Sequence, residues 1–225
     1  MDSDGLVRID RERGEIHFKL TYFGPGLVGK KTCLQYIWNR TRPEYKTALQ
    51  DLVPADELGV FSWEEYQERR PTLRGRQVWF ELTPATLAPL AGLRVKLDLH
   101  TNPGACWIEP TRRFSLVGAD GVMFVAHADP IGANSNLEAL QMLEELLAEG
   151  VAYQREIPRV FCYNRRDTDG LCDLADLERD LNPGRRWSSF TISAVRGEGV
   201  FDALKALVGA VIRPLEAAPG RLAAR

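Results

Sequence analysis

The residues best suited to chemistry lie between 24 and 32, which read Gly-Pro-Gly-Leu-Val-Gly-Lys-Lys-Thr. Gly24, Gly29 and Lys30 fit the spacing G-x-x-x-x-G-K, the pattern of a loop that wraps phosphate. Such a loop turns the backbone N–H groups of Gly24, Gly26, Leu27, Val28 and Gly29 inward around an anion, and Lys30 is long enough to reach the β- and γ-phosphates of a nucleotide. A helix starting here would direct its positive end at the same charge.

The pattern next calls for Ser or Thr, whose hydroxyl ligates magnesium, but Lys31 stands there and Thr32 follows one place later. An ammonium donates to phosphate oxygens and cannot ligate a cation. Two readings stay open. Lys31 lies near the metal position and offsets phosphate charge without magnesium, or it points into solvent and the metal site is lost. Both predict nucleotide binding with weak magnesium dependence, and no residue is assigned as a metal ligand.

A loop of this kind needs a strand before it and a helix after it. Ile16 to Phe23, IHFKLTYF, is rich in aliphatic, aromatic and β-branched residues and predicts the strand. Lys30 to Asn39 carries Cys33, Leu34, Ile37 and Trp38 at helical spacing. Beyond this unit, strands are predicted over 76–82, 93–100, 121–127, 159–163 and 188–192, and helices over 136–149, 174–181 and 200–212. Asn134 or Ser135 is the expected cap of the first of these helices. Alternating strands and helices predict an α/β fold, a mostly parallel sheet with helices on both faces. The polar, proline-punctuated stretch 41–75 reads as an insertion or mobile loop with a short possible helix at 63–69. The residues after Pro214 read as a frayed tail.

At 225 residues the chain has room for one sizeable domain. A net charge of −2 supplies no basic excess for a nucleic-acid backbone. The charged N-terminus and the lack of a long apolar run predict a cytoplasmic protein without a membrane span. Cys33, Cys106, Cys162 and Cys172 form no CxxC pair and are expected as free thiols, and His17, His100 and His127 show no metal-ligand spacing, so no zinc site is expected.

With these elements in place, the chain resembles the MglA-type gliding-motility GTPases, bacterial relatives of Ras, from about residue 16 to 213. The resemblance is carried by TYFGPGLVGKKTCLQYI, HTNPG at 100–104, GADGVMFVAHAD at 118–129, CYNRRD at 162–167 and SAVRGEGVFDALK at 193–205. It implies a Ras-like P-loop domain over 16–213, with 1–15 as an N-terminal extension and 214–225 as a flexible tail. It also implies GTP or GDP as ligand. Asp167 would accept two hydrogen bonds from guanine, Asn164 would tie this loop to the phosphate loop, and the stem of Arg165 would cover the base. Ser193, Ala194 and Val195 would form the last motif, the Ala194 N–H directed at the guanine carbonyl. Gly104 would contact the γ-phosphate.

The catalytic side of the resemblance departs from the family. Ala105 stands where a water-positioning glutamine is expected. Arg76 matches the family's arginine held in cis, or is a solvated arginine at a strand start, and Gln77 replaces a magnesium-binding threonine or acts as a surrogate glutamine. The implied function is a polarity or motility switch with slow or absent hydrolysis, working with a dimeric roadblock-fold activator and polarity proteins. The alternative is a scaffold that holds nucleotide constitutively or not at all.

Overall fold

The computed structural model describes residues 8–52, 77–102, 109–152, 156–164 and 170–217. Its elements run β1 (Arg8–Asp10), β2 (Glu15–Phe23), α1 (Lys30–Arg40), β3 (Gln50–Leu52), β4 (Gln77–Leu82), β5 (Arg94–Thr101), α2 (Glu109–Leu116), β6 (Gly121–His127), α3 (Ala133–Ala148), β7 (Arg159–Asn164), α4 (Leu174–Leu181), β8 (Ser188–Ile192) and α5 (Val200–Glu216). One sheet has the order β3-β4-β5-β2-β6-β7-β8, and β1 pairs with the start of β2. Strands β5, β2, β6, β7 and β8 are parallel, whereas β3, β4 and β1 run antiparallel to their neighbours. Connected β/α units on a parallel core are the topology of a Ras-like P-loop domain.

Alternation along β2 sorts its side chains to two cores. Ile16, Phe18, Leu20 and Tyr22 are fully or nearly fully buried in a cluster with Leu34 and Ile37 of α1 and Leu204, Leu207 and Val211 of α5. Phe23 turns to the opposite face, where Leu143 and Leu146 of α3 and Leu177 and Leu181 of α4 pack over β6 and β7. Truncating one of these, such as Leu34→Ala, costs about 2–5 kcal/mol. The helix α1 buries Cys33, Leu34 and Ile37 at the spacing of one helical face, and it ends at Thr41, whose Oγ1 and N–H both bond to the Ile37 carbonyl.

Several sequence expectations need correcting. Residues 8–10 of the N-terminal extension form β1, and 41–52 of the expected loop hold a 3-10 turn at Pro43–Tyr45 and strand β3. The possible helix at 63–69 and the rest of that loop lie outside the described residues. Helix α3 starts at Ala133 after a 3-10 turn in which the Asp129 side chain accepts from the Gly132 N–H, so neither Asn134 nor Ser135 caps it. Helix α5 runs through Pro214 to Glu216, because the Ala217 N–H still reaches the Arg213 carbonyl. Among the described residues no helix is long and apolar enough to cross a membrane.

Candidate nucleotide site

Strand β2 ends at Phe23, opposite Phe124 of β6, so the chain leaves the sheet beside Val125. A Cβ on Gly24 would lie 2.1 Å from the Val125 carbonyl oxygen, and Gly24 has φ +138. Only glycine lets the loop start this close to the neighbouring strand. Gly29 closes the loop with φ +97 and caps α1, and a Cβ there would meet Asn164 Nδ2 at 2.6 Å. Between them, Leu27 adopts φ +58 with its side chain 90% exposed, so an apolar residue is held out in water by the loop path.

Lys30 is buried and donates to the carbonyls of Gly24 (2.8 Å) and Pro25 (2.5 Å). Burial, with the charge of Arg112 as second cause, pushes its ammonium down to about 7. Among the described residues the cation is met by carbonyl dipoles and by no carboxylate. A buried cation so held, at the positive end of a helix, is the electrostatic half of an anion site.

Asn164, the last residue of β7, joins three segments. Its Nδ2 donates to the Val28 carbonyl (2.8 Å), and its Oδ1 accepts from the Ala194 N–H (2.9 Å). The Ala194 N–H, expected from the resemblance to face guanine, donates here to the buried Asn164 oxygen. Ser193 holds the same turn: its N–H donates to the Glu198 carbonyl and its hydroxyl accepts from the Arg196 N–H, while Val195 is exposed. Thr32 and Lys31 are half-buried in the first turn of α1.

Arg76, Gly104, Ala105, Arg165 and Asp167 lie outside the described residues, as does the side chain of Gln77, whose backbone begins β4. Cys106 lies outside them too, whereas Cys33, Cys162 and Cys172 are free thiols.

Three residues near the site were not singled out from sequence. His127 ends β6 with Nε2 3.1 Å from the Gly26 carbonyl oxygen and Nδ1 3.6 Å from Asp129. Arg112 of α2 is buried with its guanidinium over the Phe23 ring. Asn102, just after β5, is 2% exposed, and neither Nδ2 nor Oδ1 has a hydrogen-bond partner among the described residues. For His127, its place at the end of an apolar strand was the available signal. For Asn102, its place in HTNPG at 100–104 was a signal, and for Arg112 sequence held none.

The Mutual gliding-motility protein MglA of Myxococcus xanthus is 34% identical over 202 residues, covering 90% of this chain and 94% of the relative. The chain belongs to the MglA-type family of small GTPases. No protein-family profile matches it. Membership makes the chain a Ras-like GTPase homologue of a motility regulator, with guanine nucleotide as the ligand of the site. The MglA-type phosphate loop carries Lys31 where a magnesium-ligating hydroxyl belongs. Thr32 follows in the first turn of α1, one residue, roughly 100°, further round the helix.

A second polar cluster lies at the other end of the sheet. His17, Glu81 and Asp98, from β2, β4 and β5, have ligand atoms within 4.8 Å of one another, a grouping in space that no sequence spacing displays. Arg8 binds Asp98 at 2.5 Å and Lys96 binds Glu81 at 2.8 Å, so the carboxylates are already engaged and the cluster is an ion-pair network.

Proposed function

We propose that this chain is a guanine-nucleotide-operated switch that keeps binding and has slow or absent hydrolysis, with little dependence on magnesium. The observation that carries the binding half is Lys30, a buried cation that donates to the Gly24 and Pro25 carbonyls and meets no carboxylate among the described residues. On binding, its ammonium exchanges the Gly24 and Pro25 carbonyls for phosphate oxygens, while the N–H groups of Gly26 to Gly29 and the start of α1 face the same charge. Asn164 holds the base loop against the phosphate loop, Asp167 reads guanine by two hydrogen bonds, and Arg165 covers the base. Adenine offers no matching pair of donors. Ser193, Ala194 and Val195 line the base side, and Gly104 meets the γ-phosphate.

The hydrolytic half rests on Lys31 and Ala105, which remove a hydroxyl ligand and the water-positioning amide; Arg76 and Gln77 are the residues left to act in their place. A roadblock-fold activator and polarity proteins are the partners this reading entails, in the cytoplasm. A second reading, a scaffold holding nucleotide constitutively, is favoured by Lys31 alone.

Denaturing the purified protein and identifying what it releases tests binding. Single-turnover phosphate release with magnesium and with chelator tests hydrolysis. Bound GDP with turnover at least 100-fold below a small GTPase, and affinity unchanged by chelator, is expected for the switch. GTP carried through purification without turnover moves the reading to the scaffold. Affinity that collapses in chelator sinks the claim of magnesium independence.

A further inference from the structure

A cavity of about 810 Å³ lies outside the nucleotide site, between the C-terminal end of α1, the second half of α5 and the turn after β4. It lies far from the phosphates: Leu97 on its wall pairs with Phe18, five residues before the end of β2, or roughly 17 Å along the strand. Its floor is aliphatic, built from Leu82, Leu97, Leu204, Val208 and Ile212. Its rim is basic: Arg40, Arg42, Lys205 and Arg213 are exposed around the mouth, against one carboxylate, Glu216, among the described lining residues. Arg40 is oriented by Tyr36, its Nε 3.5 Å from the phenol oxygen.

Gly209 is the least expected residue in the wall, because glycine weakens a helix interior. It sits mid-helix in α5, where a Cβ would meet nothing nearer than the Arg213 guanidinium at 3.5 Å. Its missing side chain keeps the cavity open.

We infer that this cavity binds a long-chain carboxylate, a free fatty acid, with the chain on the aliphatic floor and the head paired with the rim arginines. The volume falls in the range of small-molecule sites, about 300–1,000 Å³, which bury most of a ligand's surface. The floor offers a polar ligand nothing, whereas guanidinium groups pair with carboxylate in two parallel hydrogen bonds.

The test is calorimetric titration of the full chain with dodecanoate below its micelle concentration, beside dodecyltrimethylammonium and acetate. Saturable binding of dodecanoate, with at least tenfold weaker binding of the other two, is expected. Arg42→Glu with Arg213→Glu, both exposed, should weaken dodecanoate at least tenfold. Gly209→Leu should abolish binding while the melting temperature holds or rises, since leucine favours helix. Guanine-nucleotide affinity should be unchanged in both variants. Equal binding of the cationic amphiphile, or native-like binding by both variants, overturns the proposal. So does sedimentation with phosphatidylglycerol vesicles, or capture of an acidic peptide, without uptake of dodecanoate.

Discussion

The two ends of the sheet solve the problem of polar groups in a folded chain differently. Where β2, β6, β7 and β8 end, Asn164 and Ser193 are held by directed hydrogen bonds: Asn164 to Val28 and Ala194, and Ser193 to Arg196 and Glu198. Lys30 is a buried charge there, donating to two carbonyls and meeting no carboxylate among the described residues. Near the start of β2 the polar face of β4 and β5 is a web of long charged side chains that compensate one another, with His17, Asp98, Glu81, Lys96, Glu15 and Arg8 all in contact. The first end is fixed in geometry and leaves one cation for a ligand. The second is neutralised internally and offers a ligand nothing, so the two sets of charges have different uses despite sharing a sheet.

The sharpest way to break this contrast is to remove the uncompensated cation. Lys30→Met should weaken guanine nucleotide about 10- to 100-fold, the worth of a charge-assisted hydrogen bond or two, read by displacement of a fluorescent analogue. The same lysine makes binding depend on pH. Free Lys30 titrates near 7, and phosphate oxygens would hold it charged, so affinity should be highest below that pH and fall as pH rises through it. Calorimetry in buffers of different ionisation enthalpy should then show a proton taken up on binding at alkaline pH and none in mild acid; no difference between buffers would rule out this titration.

Asn164→Ala leaves the Val28 carbonyl and the Ala194 N–H without partners and should destabilise the chain by about 2–4 kcal/mol in urea unfolding. At the charged end the effect is tunable by acid. Burial by itself would push Asp98 up, but hydrogen bonding with His17 and the Arg8 charge outweigh it and hold the carboxyl down to about 2. Its stabilisation is complete above the unfolded value near 4 and is lost as pH falls through 2, about 2 kcal/mol in all. Asp98→Asn should flatten that acid limb.

Asn102→Leu tests the one buried amide near the site that has no described partner. It should raise stability by about 1 kcal/mol, since an apolar replacement removes two unsatisfied atoms. The smallest effect is at His17, whose pKa is raised chiefly by its hydrogen bond to Asp98. Its contribution is present below the unfolded value and lost as pH rises through the folded one. His17→Gln should erase that slope in urea unfolding followed against pH.

Sequence made legible whatever depends on local period or on backbone that only glycine can adopt. Strand 121–127, helix 174–181 and strand 188–192 have the predicted limits because continuous apolar runs and one-sided stripes set them. The phosphate loop was visible because Gly24 and Gly29 have no room for a side chain. Strands β1 and β3, three residues each, are too short to show a period and exist through their pairing with β2 and β4. Helix α2, EPTRRFSL, is polar and brief, so its sequence carries no helical stripe. The start of α3 was misplaced because neither Asn134 nor Ser135 caps it: the helix continues from a 3-10 turn held by the Asp129 side chain, while Asn136 is spent on a tertiary pair of bonds to the His127 backbone.

Asn164 touches the phosphate loop with one atom of its amide and the β8–α5 turn with the other. Movement of either segment away from β7 breaks a bond to the same side chain. On the proposed binding mode Asn164 couples the base side of the cleft to its phosphate side, and its loss should speed the exchange of bound nucleotide.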